Sequence, residues 1–489
     1  MNEIQKTVFI ILIAIGLGFL SIHKAIHIDE ANFLALTKGS FGAPHNIYIN
    51  WQGKSERAFD VLSNPAGIAW YLWPVRNLDP MWMRCWMLPW IIPLLWGIHL
   101  FSKEYKISSH LALVLTVFTP CVFIYHGSVM PDIPLLGLFV LGLAGVISYE
   151  RKWIWALVGG CAVLFRYSAL TIIPLMFILG YRTSLKKAVR LMVISSIPTL
   201  LLFVNDVRYY GEIHFLNMIL FQSSLSSPVL EKFPAYMGML SGALVFPLLP
   251  KNQKDWMIFA SILGVSVGLL QNYHVSIWEL TLVSLGIFSI VNTVRFYFKK
   301  DLFLCLWLLG GIFFLLQLRF AATRYWLPFF LPVLFCSVQD IKFLEKCIRI
   351  VVGLLCTIFL AYDDFAFADA HRRAAEEFGK ERQGLFAGHW GWQYYLEREG
   401  WKSVEEDQQL PKTGWFAQIN TAWPQEVEGC RTLEKELIFP SRSFIRVHTY
   451  EGRANFHSSA LSNGSSVFVP WSFGQDPYVK AQLFQLSCP

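Results

Sequence analysis

Long apolar runs separated by short polar loops are the dominant pattern along this chain. Runs of the length that crosses a bilayer, about 17 to 25 residues, begin near Lys6 and recur until Tyr362. Beyond Tyr362 the sequence becomes polar. The pattern predicts a polytopic α-helical membrane region over residues 1–362 and a separate C-terminal domain over residues 363–489.

Alternate loops are rich in lysine and arginine, which the positive-inside rule places on the cytoplasmic side. These loops span residues 102–109, 150–153, 182–190, 251–255, 295–301 and 339–349. With a cytoplasmic N-terminus, the pattern predicts thirteen crossings near residues 7–23, 85–101, 110–125, 133–149, 154–165, 167–181, 191–204, 236–250, 256–270, 276–294, 302–318, 326–338 and 347–362. The odd number puts the C-terminal domain outside. Several runs are short, which favours tilted or broken helices around a cavity.

The composition agrees with this division. Of 489 residues, 55% are hydrophobic and 15% are charged, and the mean hydropathy is +0.44, which excludes a single water-soluble domain. The first run has no small-residue cleavage site, so we predict a retained helix. Because the basic residues follow topology, the net charge of +7 does not indicate a nucleic-acid partner. Cys430 and Cys488, both in the C-terminal domain, are candidates for a disulfide.

The first outer loop, residues 24–84, is too long to be only a connection. It contains an amphipathic stretch, Glu30–Phe41, and an apolar stretch, Ala66–Trp73. Amphipathic helices of this kind lie in the membrane interface. A second large loop, residues 205–235, is rich in serine and aromatic residues.

Three carboxylates occur on the predicted outer side at a similar depth relative to the membrane. Asp29 and Glu30 follow the first span, and Asp132 lies in the turn between two later spans. The simpler interpretation is that each caps a helix, since a carboxylate near a helix start accepts backbone N–H bonds. Their similar depth relative to the membrane favours an acidic site instead.

Arginines collect on the same side, beside aromatic residues. Arg319 fits snorkelling to lipid headgroups equally well, but Arg166 and Arg324 interrupt or flank apolar runs, where an ionisable side chain is costly and usually faces a cavity. A guanidinium binds phosphate through two hydrogen bonds, and a carboxylate within reach accepts a proton. The combination predicts a site that binds phosphate and activates a nucleophile.

Six short motifs follow one another on this side: Asp29-Glu30; Asn64-Pro65 with Trp70-Tyr71-Leu72; Arg84; Pro131-Asp132-Ile133-Pro134-Leu135; Arg166-Tyr167-Ser168-Ala169-Leu170 with Pro174; and Arg324-Tyr325 with Pro328 and Pro332. Over residues 7–338 their order resembles the polyprenol-phosphate-dependent GT-C glycosyltransferases, which include protein O-mannosyltransferases and lipid A aminoarabinose transferases.

The resemblance implies a GT-C-like bundle of about 13 transmembrane helices with interfacial helices and a C-terminal extracytoplasmic mixed α/β domain. It implies a hexosyl or pentosyl transferase that takes a sugar from a polyprenyl phosphate of the undecaprenyl type. The acceptor stays open among lipid, glycan and protein. The absence of targeting and retention signals and the lone sequon at Asn463 favour a bacterial inner membrane.

Residue by residue, the resemblance implies that Asp29 is the general base and that Glu30 and Asp132 shape the acidic site. The residues that hold the donor phosphate would be Arg84, Arg166, Tyr167, Arg324 and Tyr325. One direct displacement with inversion is then the economical mechanism. The family often has a basic residue before Pro65, where this chain has Asn64; His45 and Lys54 are both candidates to replace it.

A divalent metal is left open, because no spacing demands one. The candidate ligands are His27, Asp29, Glu30, His126 and Asp132. Two other functions compete with the transferase. A transporter or flippase for lipid or lipid-linked sugar would need ionisable residues at the bilayer midplane, and a non-catalytic scaffold would need none of the arginines.

Overall fold

The computed structural model describes residues 2–487 except 52, 225–228, 245–249, 251–252, 340, 381 and 407. The α-helices in these residues are α1 (Glu3–Gly18), α2 (Glu30–Leu36), α3 (Ala58–Val61), α4 (Gly67–Leu72), α5 (Pro80–Met87), α6 (Ile91–Glu104), α7 (Ser109–Val117), α8 (Pro120–His126), α9 (Asp132–Ser148), α10 (Lys152–Gly160), α11 (Ile172–Tyr181), α12 (Leu185–Tyr210), α13 (His214–Ser224), α14 (Val229–Met239), α15 (Gln253–Leu270), α16 (Ile277–Tyr297), α17 (Leu302–Leu315), α18 (Leu331–Val338), α19 (Phe343–Gly379) and α20 (Trp390–Arg398).

The strands in the same residues are short, apart from three. They are β1 (Tyr48–Asn50), β2 (Ser55–Arg57), β3 (Leu385–Ala387), β4 (Lys402–Ser403), β5 (Thr413–Ile419), β6 (Arg431–Phe439), β7 (Ile445–Arg446), β8 (His448–Thr449), β9 (Ala454–Asn455), β10 (Ser472–Phe473) and β11 (Val479–Ser487).

Helix covers at least part of every predicted span. By length and apolar composition, four helical segments of the described chain can cross a membrane: Pro80–Glu104, Leu185–Tyr210, Gln253–Tyr273 and Ile277–Tyr297. Helices α7 and α8 meet the same test together but are bent by 62°. These segments confirm the prediction of a helical membrane protein, while the number of thirteen crossings stays a prediction.

The bend between α7 and α8 has a local cause. Pro120 is the first residue of α8 and has no backbone N–H to donate to the preceding turn, so α7 ends at Val117 and a new helix begins. The change of direction brings Tyr125, near the end of α8, to the C-terminal domain, where its hydroxyl hydrogen-bonds to His457 at 2.7 Å.

Small residues allow the helices of the membrane region to approach closely. Where α9 meets α10, a Cβ atom on Gly142 would lie 2.3 Å from Cα of Gly159. Such contacts are typical of helix packing in membranes, where backbones approach through glycine and alanine. A single apolar core extends from these helices to Phe456 and Phe468 of the C-terminal domain.

Helix α19 joins the two regions without a linker. It runs for 37 residues, from Phe343 to Gly379, so the predicted boundary between residues 362 and 363 falls inside one continuous helix. The C-terminal part of α19 extends into the C-terminal domain as far as Gly379. The domain division itself stays a prediction.

The C-terminal region contains a five-stranded sheet in the order β4-β3-β5-β11-β6. Strand β3 is parallel to β4 and β5, whereas β11 is antiparallel to β5 and β6. The C-terminal part of α19 and helix α20 pack on it through a core that includes Phe378, Trp392 and Ile419. The sheet and its helices confirm the predicted mixed α/β character.

The first outer loop forms α2 in the predicted amphipathic stretch, α4 in the predicted apolar stretch, and a hairpin, β1–β2, between them. The hairpin contacts the C-terminal domain, because the Asn50 amide donates to the Val404 carbonyl at 2.9 Å. Cys488 lies outside the described residues, and Cys430 is exposed, so their disulfide stays a prediction.

Candidate active site

A cavity of about 720 Å³ lies between the first outer loop, two turns of the membrane region and the C-terminal domain. Its lining includes Asp29 from the loop, Arg166 and Arg324 from the two turns, and Trp423 and His457 from the C-terminal domain. Three distant parts of the chain therefore build one site.

Two guanidinium groups lie beside one tyrosine ring in this cavity. The central carbon of Arg166 is 4.9 Å from the Tyr325 ring centre, and that of Arg324 is 5.2 Å from it. Arg166 precedes a 3-10 helix over Tyr167–Thr171, and Arg324 lies in another over Thr323–Phe329. The short helices hold both side chains in a compact positive patch, suited to a phosphate group.

Asp29 faces this patch. Its carboxylate accepts a hydrogen bond from Arg324 at 2.8 Å, and 18% of the side chain is exposed. Although Asp29 stands at the N-cap position of α2, its side chain makes no capping bond, so the capping interpretation is wrong for this residue. The preceding Ile28 has φ of 50°, a left-handed conformation that costs about 1–3 kcal/mol for a non-glycine residue.

Glu30 and Arg84 form a buried pair behind Asp29. Arg84 donates to both carboxylate oxygens of Glu30, at 3.1 and 2.8 Å, and each side chain is 2% exposed. Arg84 also donates to the carbonyls of Ile22, Lys24 and Ala25. Neither side chain belongs to the cavity lining. The geometry therefore favours a positioning role for Arg84, which was predicted to hold the phosphate, and for Glu30, which was predicted to shape the acidic site.

Asp132 and Tyr167 also lie behind the cavity lining. Asp132 forms an ion pair with Arg166, and its Oδ2 atom is buried with no hydrogen-bond partner among the described residues. The Tyr167 hydroxyl is hydrogen-bonded to Nδ1 of His214 at 2.8 Å. Asp132 therefore orients Arg166, and the Tyr167 hydroxyl is engaged away from the cavity.

No protein-family model matches the sequence, and no curated protein matches it either. Among solved structures, the fold is similar to the crystal structure of ArnT from Cupriavidus metallidurans bound to undecaprenyl phosphate, with a TM-score of 0.44 and 12% identity over 85% of this chain and 93% of that chain. It is similar to apo ArnT at a TM-score of 0.42 and 11% identity, over 84% of this chain and 92% of that chain.

A third similar structure is the cryo-EM structure of the arabinofuranosyltransferase AftD from Mycobacteria. The TM-score is 0.44 and the identity 13%, over 100% of this chain and 40% of that chain. These likenesses concern the fold alone, and the activity has to be inferred from the cavity.

A charged network that the sequence did not predict links the cavity to α19. His457, in the cavity lining, hydrogen-bonds through Nε2 to Asp364 at 3.0 Å, and Asp364 is ion-paired with Lys24. The His457 carbonyl accepts from Arg324 at 3.3 Å. Burial lowers the pKa of His457, and the bond to Asp364 opposes that shift. The sequence feature that could have indicated this network is the pair of adjacent carboxylates, Asp363 and Asp364, directly after the last apolar run.

The predicted metal ligands do not come together as one set. Asp29 and Asp132 are each paired with an arginine, and Nε2 of His126 bonds to the Leu88 carbonyl at 3.1 Å.

His27 instead lies with Asp364 and His457, where one ligand atom from each falls within 4.8 Å of the others. Both His27 ring nitrogens are buried without a partner in the described chain, and burial lowers its pKa well below the usual value. The donor atoms suit a transition metal, but Lys24 already supplies a positive charge to Asp364, which opposes a second cation.

The basic residue missing before Pro65 is not replaced within the cavity lining. Nε2 of His45 bonds to the Asn64 carbonyl at 2.9 Å, so His45 supports the segment from behind. Lys54 lies 3.8 Å from Glu406. Of the two candidates, His45 is the one in contact with the motif.

Proposed function

We propose that this chain is a membrane glycosyltransferase that moves a sugar from a polyprenyl phosphate to an acceptor on the outer side of the membrane. The observation that supports the proposal is the placement of Arg166 and Arg324 around the Tyr325 ring, with Asp29 at 2.8 Å from Arg324. Two guanidinium groups match the charge and the geometry of a phosphate.

The reaction is one displacement. Asp29 takes the proton from an acceptor hydroxyl, and the oxygen attacks the anomeric carbon. The bond from that carbon to the phosphate oxygen breaks, and the polyprenyl phosphate leaves with the electron pair. Arg166 and Arg324 stabilise the negative charge that develops on the leaving group. A single displacement inverts the anomeric configuration.

The pair of Asp29 and Arg324 connects donor binding to proton transfer. The Arg324 guanidinium is bonded to Asp29, and its Nε has no partner among the described residues. A donor phosphate competes for this guanidinium, which leaves the Asp29 carboxylate available for a proton. Arg166 contacts Asp132 through one terminal nitrogen, which leaves its other N–H groups to bind the phosphate.

The first test compares wild type with Asp29→Asn on a panel of radiolabelled polyprenyl-phosphate sugars, with a membrane extract as the source of acceptor. Removing a general base lowers the rate by about 10²–10⁴-fold, so we expect transfer of label to fall by at least about that lower figure. Asp369→Asn, on the surface of α19 and paired with Arg372, is the matched control and retains transfer. An Asp29→Asn rate equal to wild type would contradict the role of Asp29.

A second test isolates the phosphate site. Sugar-free polyprenyl phosphate is expected to raise the unfolding temperature of wild type and of Asp29→Asn, but not of Arg324→Gln or Arg166→Gln. Arg442→Gln, exposed on the C-terminal domain, is the control. If no donor is consumed and none raises the unfolding temperature of wild type, the enzyme proposal fails and transport becomes the function to test.

A further inference from the structure

A second part of the cavity lining differs in chemistry from the arginine patch. It consists of Trp51 at the tip of the β1–β2 hairpin and Trp390, Trp423, Glu406 and Glu426 of the C-terminal domain. We call these five residues the tryptophan wall. The wall is therefore aromatic and acidic, whereas the arginines in the cavity lining, Arg166, Arg319 and Arg324, all come from the membrane region.

The loop that carries Trp423 is anchored on both sides of it. The His389 amide donates to the Ala422 carbonyl at 2.8 Å. On the other side, the Gln425 side chain accepts from the Gly388 amide at 2.8 Å and donates to the Val404 carbonyl at 3.1 Å. Between these anchors the Trp423 side chain remains 39% exposed. A large apolar ring is thus held towards the cavity by its own loop.

The backbone at this wall is strained. Trp423 has φ of 50° and Trp390 has φ of 62°, a region that bulky residues rarely adopt. Trp423 also precedes Pro424, and a residue before proline prefers the extended region. Strained residues persist where the surrounding structure holds them and they cluster at functional sites. The two strained residues, Trp390 and Trp423, line the same cavity as Asp29.

We infer that the tryptophan wall is the acceptor subsite of the proposed transferase and that the acceptor is a carbohydrate. A sugar ring offers a face of C–H groups to the negative face of an indole, and its hydroxyls donate to carboxylates. Glu406 is paired with Lys54, whereas Glu426 forms no ion pair in the described chain, so the wall keeps one unbalanced negative charge. That charge selects neutral or amino sugars over uronic acids or phosphorylated sugars.

The assignment of the wall to the acceptor, rather than to another carbohydrate ligand, rests on the proposed transferase activity. In that reaction the donor phosphate lies on the arginine patch, and the attacking hydroxyl approaches Asp29. The rest of the acceptor then extends towards the C-terminal domain. Trp51 belongs to the same surface, because its ring centre is 6.0 Å from that of His389, the residue that anchors the Trp423 loop.

The test uses the full chain in lipid nanodiscs free of glycoside detergents. Saturation-transfer NMR measures binding of three probes: the methyl glycosides of a neutral hexose, of a 2-amino-2-deoxyhexose and of a hexuronic acid. We expect wild type to bind the first two and not the third, and Trp423→Ala to weaken binding by at least about tenfold. Trp82→Ala removes a tryptophan that is 55% exposed outside the cavity and should bind as wild type does.

Two further variants separate recognition from folding. Trp423→Phe keeps an aromatic face and is expected to retain part of the binding, and Glu426→Gln should weaken the amino glycoside more than the neutral one. Thermal stabilisation of Trp423→Ala by sugar-free polyprenyl phosphate shows that the variant is folded. Absence of glycoside binding to wild type, or equal binding to Trp423→Ala, would overturn the inference.

Kinetics then distinguish acceptor from donor. With a labelled donor and water as the only acceptor, Trp423→Ala should hydrolyse the donor with an unchanged KM. A raised KM would assign the wall to the donor sugar and overturn the acceptor assignment. Failure of polyprenyl phosphate to bind wild type would overturn the proposed function separately, whatever the glycosides do.

Discussion

Arg84 and Arg324 differ in how many of their N–H groups are hydrogen-bonded, and this difference distinguishes a structural arginine from a functional one. Arg84 is bonded to Glu30 and to three backbone carbonyls, and it is almost fully buried. Arg324 bonds to Asp29 and to one carbonyl, and its Nε has no partner in the described chain. An arginine whose donors are all used holds the chain in place, whereas one with a spare donor beside a cavity can bind an anion.

Arg84→Gln is therefore expected to destabilise the fold rather than to impair donor binding directly. Removing one member of a buried pair leaves Glu30 uncompensated, which costs about 3–5 kcal/mol. The measurement is the unfolding temperature, with Arg76→Gln, half-buried on the Trp73 ring, as the milder control. A normal unfolding temperature combined with lost polyprenyl phosphate binding would restore Arg84 to the phosphate site that the sequence predicts.

At the scale of elements, the turn that carries Arg324 depends on helix packing far from the cavity. Helix α14 supports it, because the Trp326 indole donates to the Tyr236 carbonyl at 2.8 Å. Helix α16 in turn packs against α14 at Gly286, where a Cβ atom would lie 2.0 Å from the Met237 carbonyl oxygen. The position of Arg324 therefore depends on how α14 and α16 pack against each other.

Gly286→Ala should force α14 and α16 apart. Overpacking of this kind costs about 1–3 kcal/mol, so we expect a lower unfolding temperature and weaker binding of polyprenyl phosphate. Gly310→Ala in α17 adds the same methyl group where nothing lies within 4 Å and is expected to leave both unchanged or slightly to stabilise the helix. Equal behaviour of the two variants would show that this contact does not control the turn.

On the scale of the whole molecule, buried histidines lie where the C-terminal domain meets the membrane region and the first outer loop. Burial lowers the pKa of His371 and His389 to about 4 and that of His448 to about 3. His448 stacks on Phe367 of α19 at 4.8 Å between ring centres. Both of its ring nitrogens lack partners in the described chain.

Acidification is expected to weaken this interface. Below the unfolded pKa of about 6.5 the unfolded chain binds protons that the folded chain excludes, so the stability present above pH 6.5 is lost as the pH falls towards 4 and 3. Each such histidine contributes at most about 1.4 kcal/mol per pH unit. Unfolding temperatures between pH 7.5 and 5 test this.

His448→Phe keeps an aromatic ring on Phe367 but removes the titratable group. It should reduce the loss of stability on acidification while leaving stability at pH 7.5 unchanged or higher. A pH dependence identical to that of wild type would show that His448 does not carry it.

The sequence alone determined the approximate places of the helices, because hydropathy is a local property of the chain. The side of the membrane on which the acidic and basic residues gather stays a prediction. The sequence also predicted Asp29, Arg166, Arg324 and Tyr325 as members of one site. Only the tertiary structure decided that Arg84 pairs with Glu30 while Arg324 pairs with Asp29, since a charge has several possible partners and packing selects one. Likewise, His457 and Trp423 line the cavity although they lie more than 300 residues beyond Asp29, and Asp364 contacts His457 from behind. No local sequence pattern predicts contacts between such distant residues.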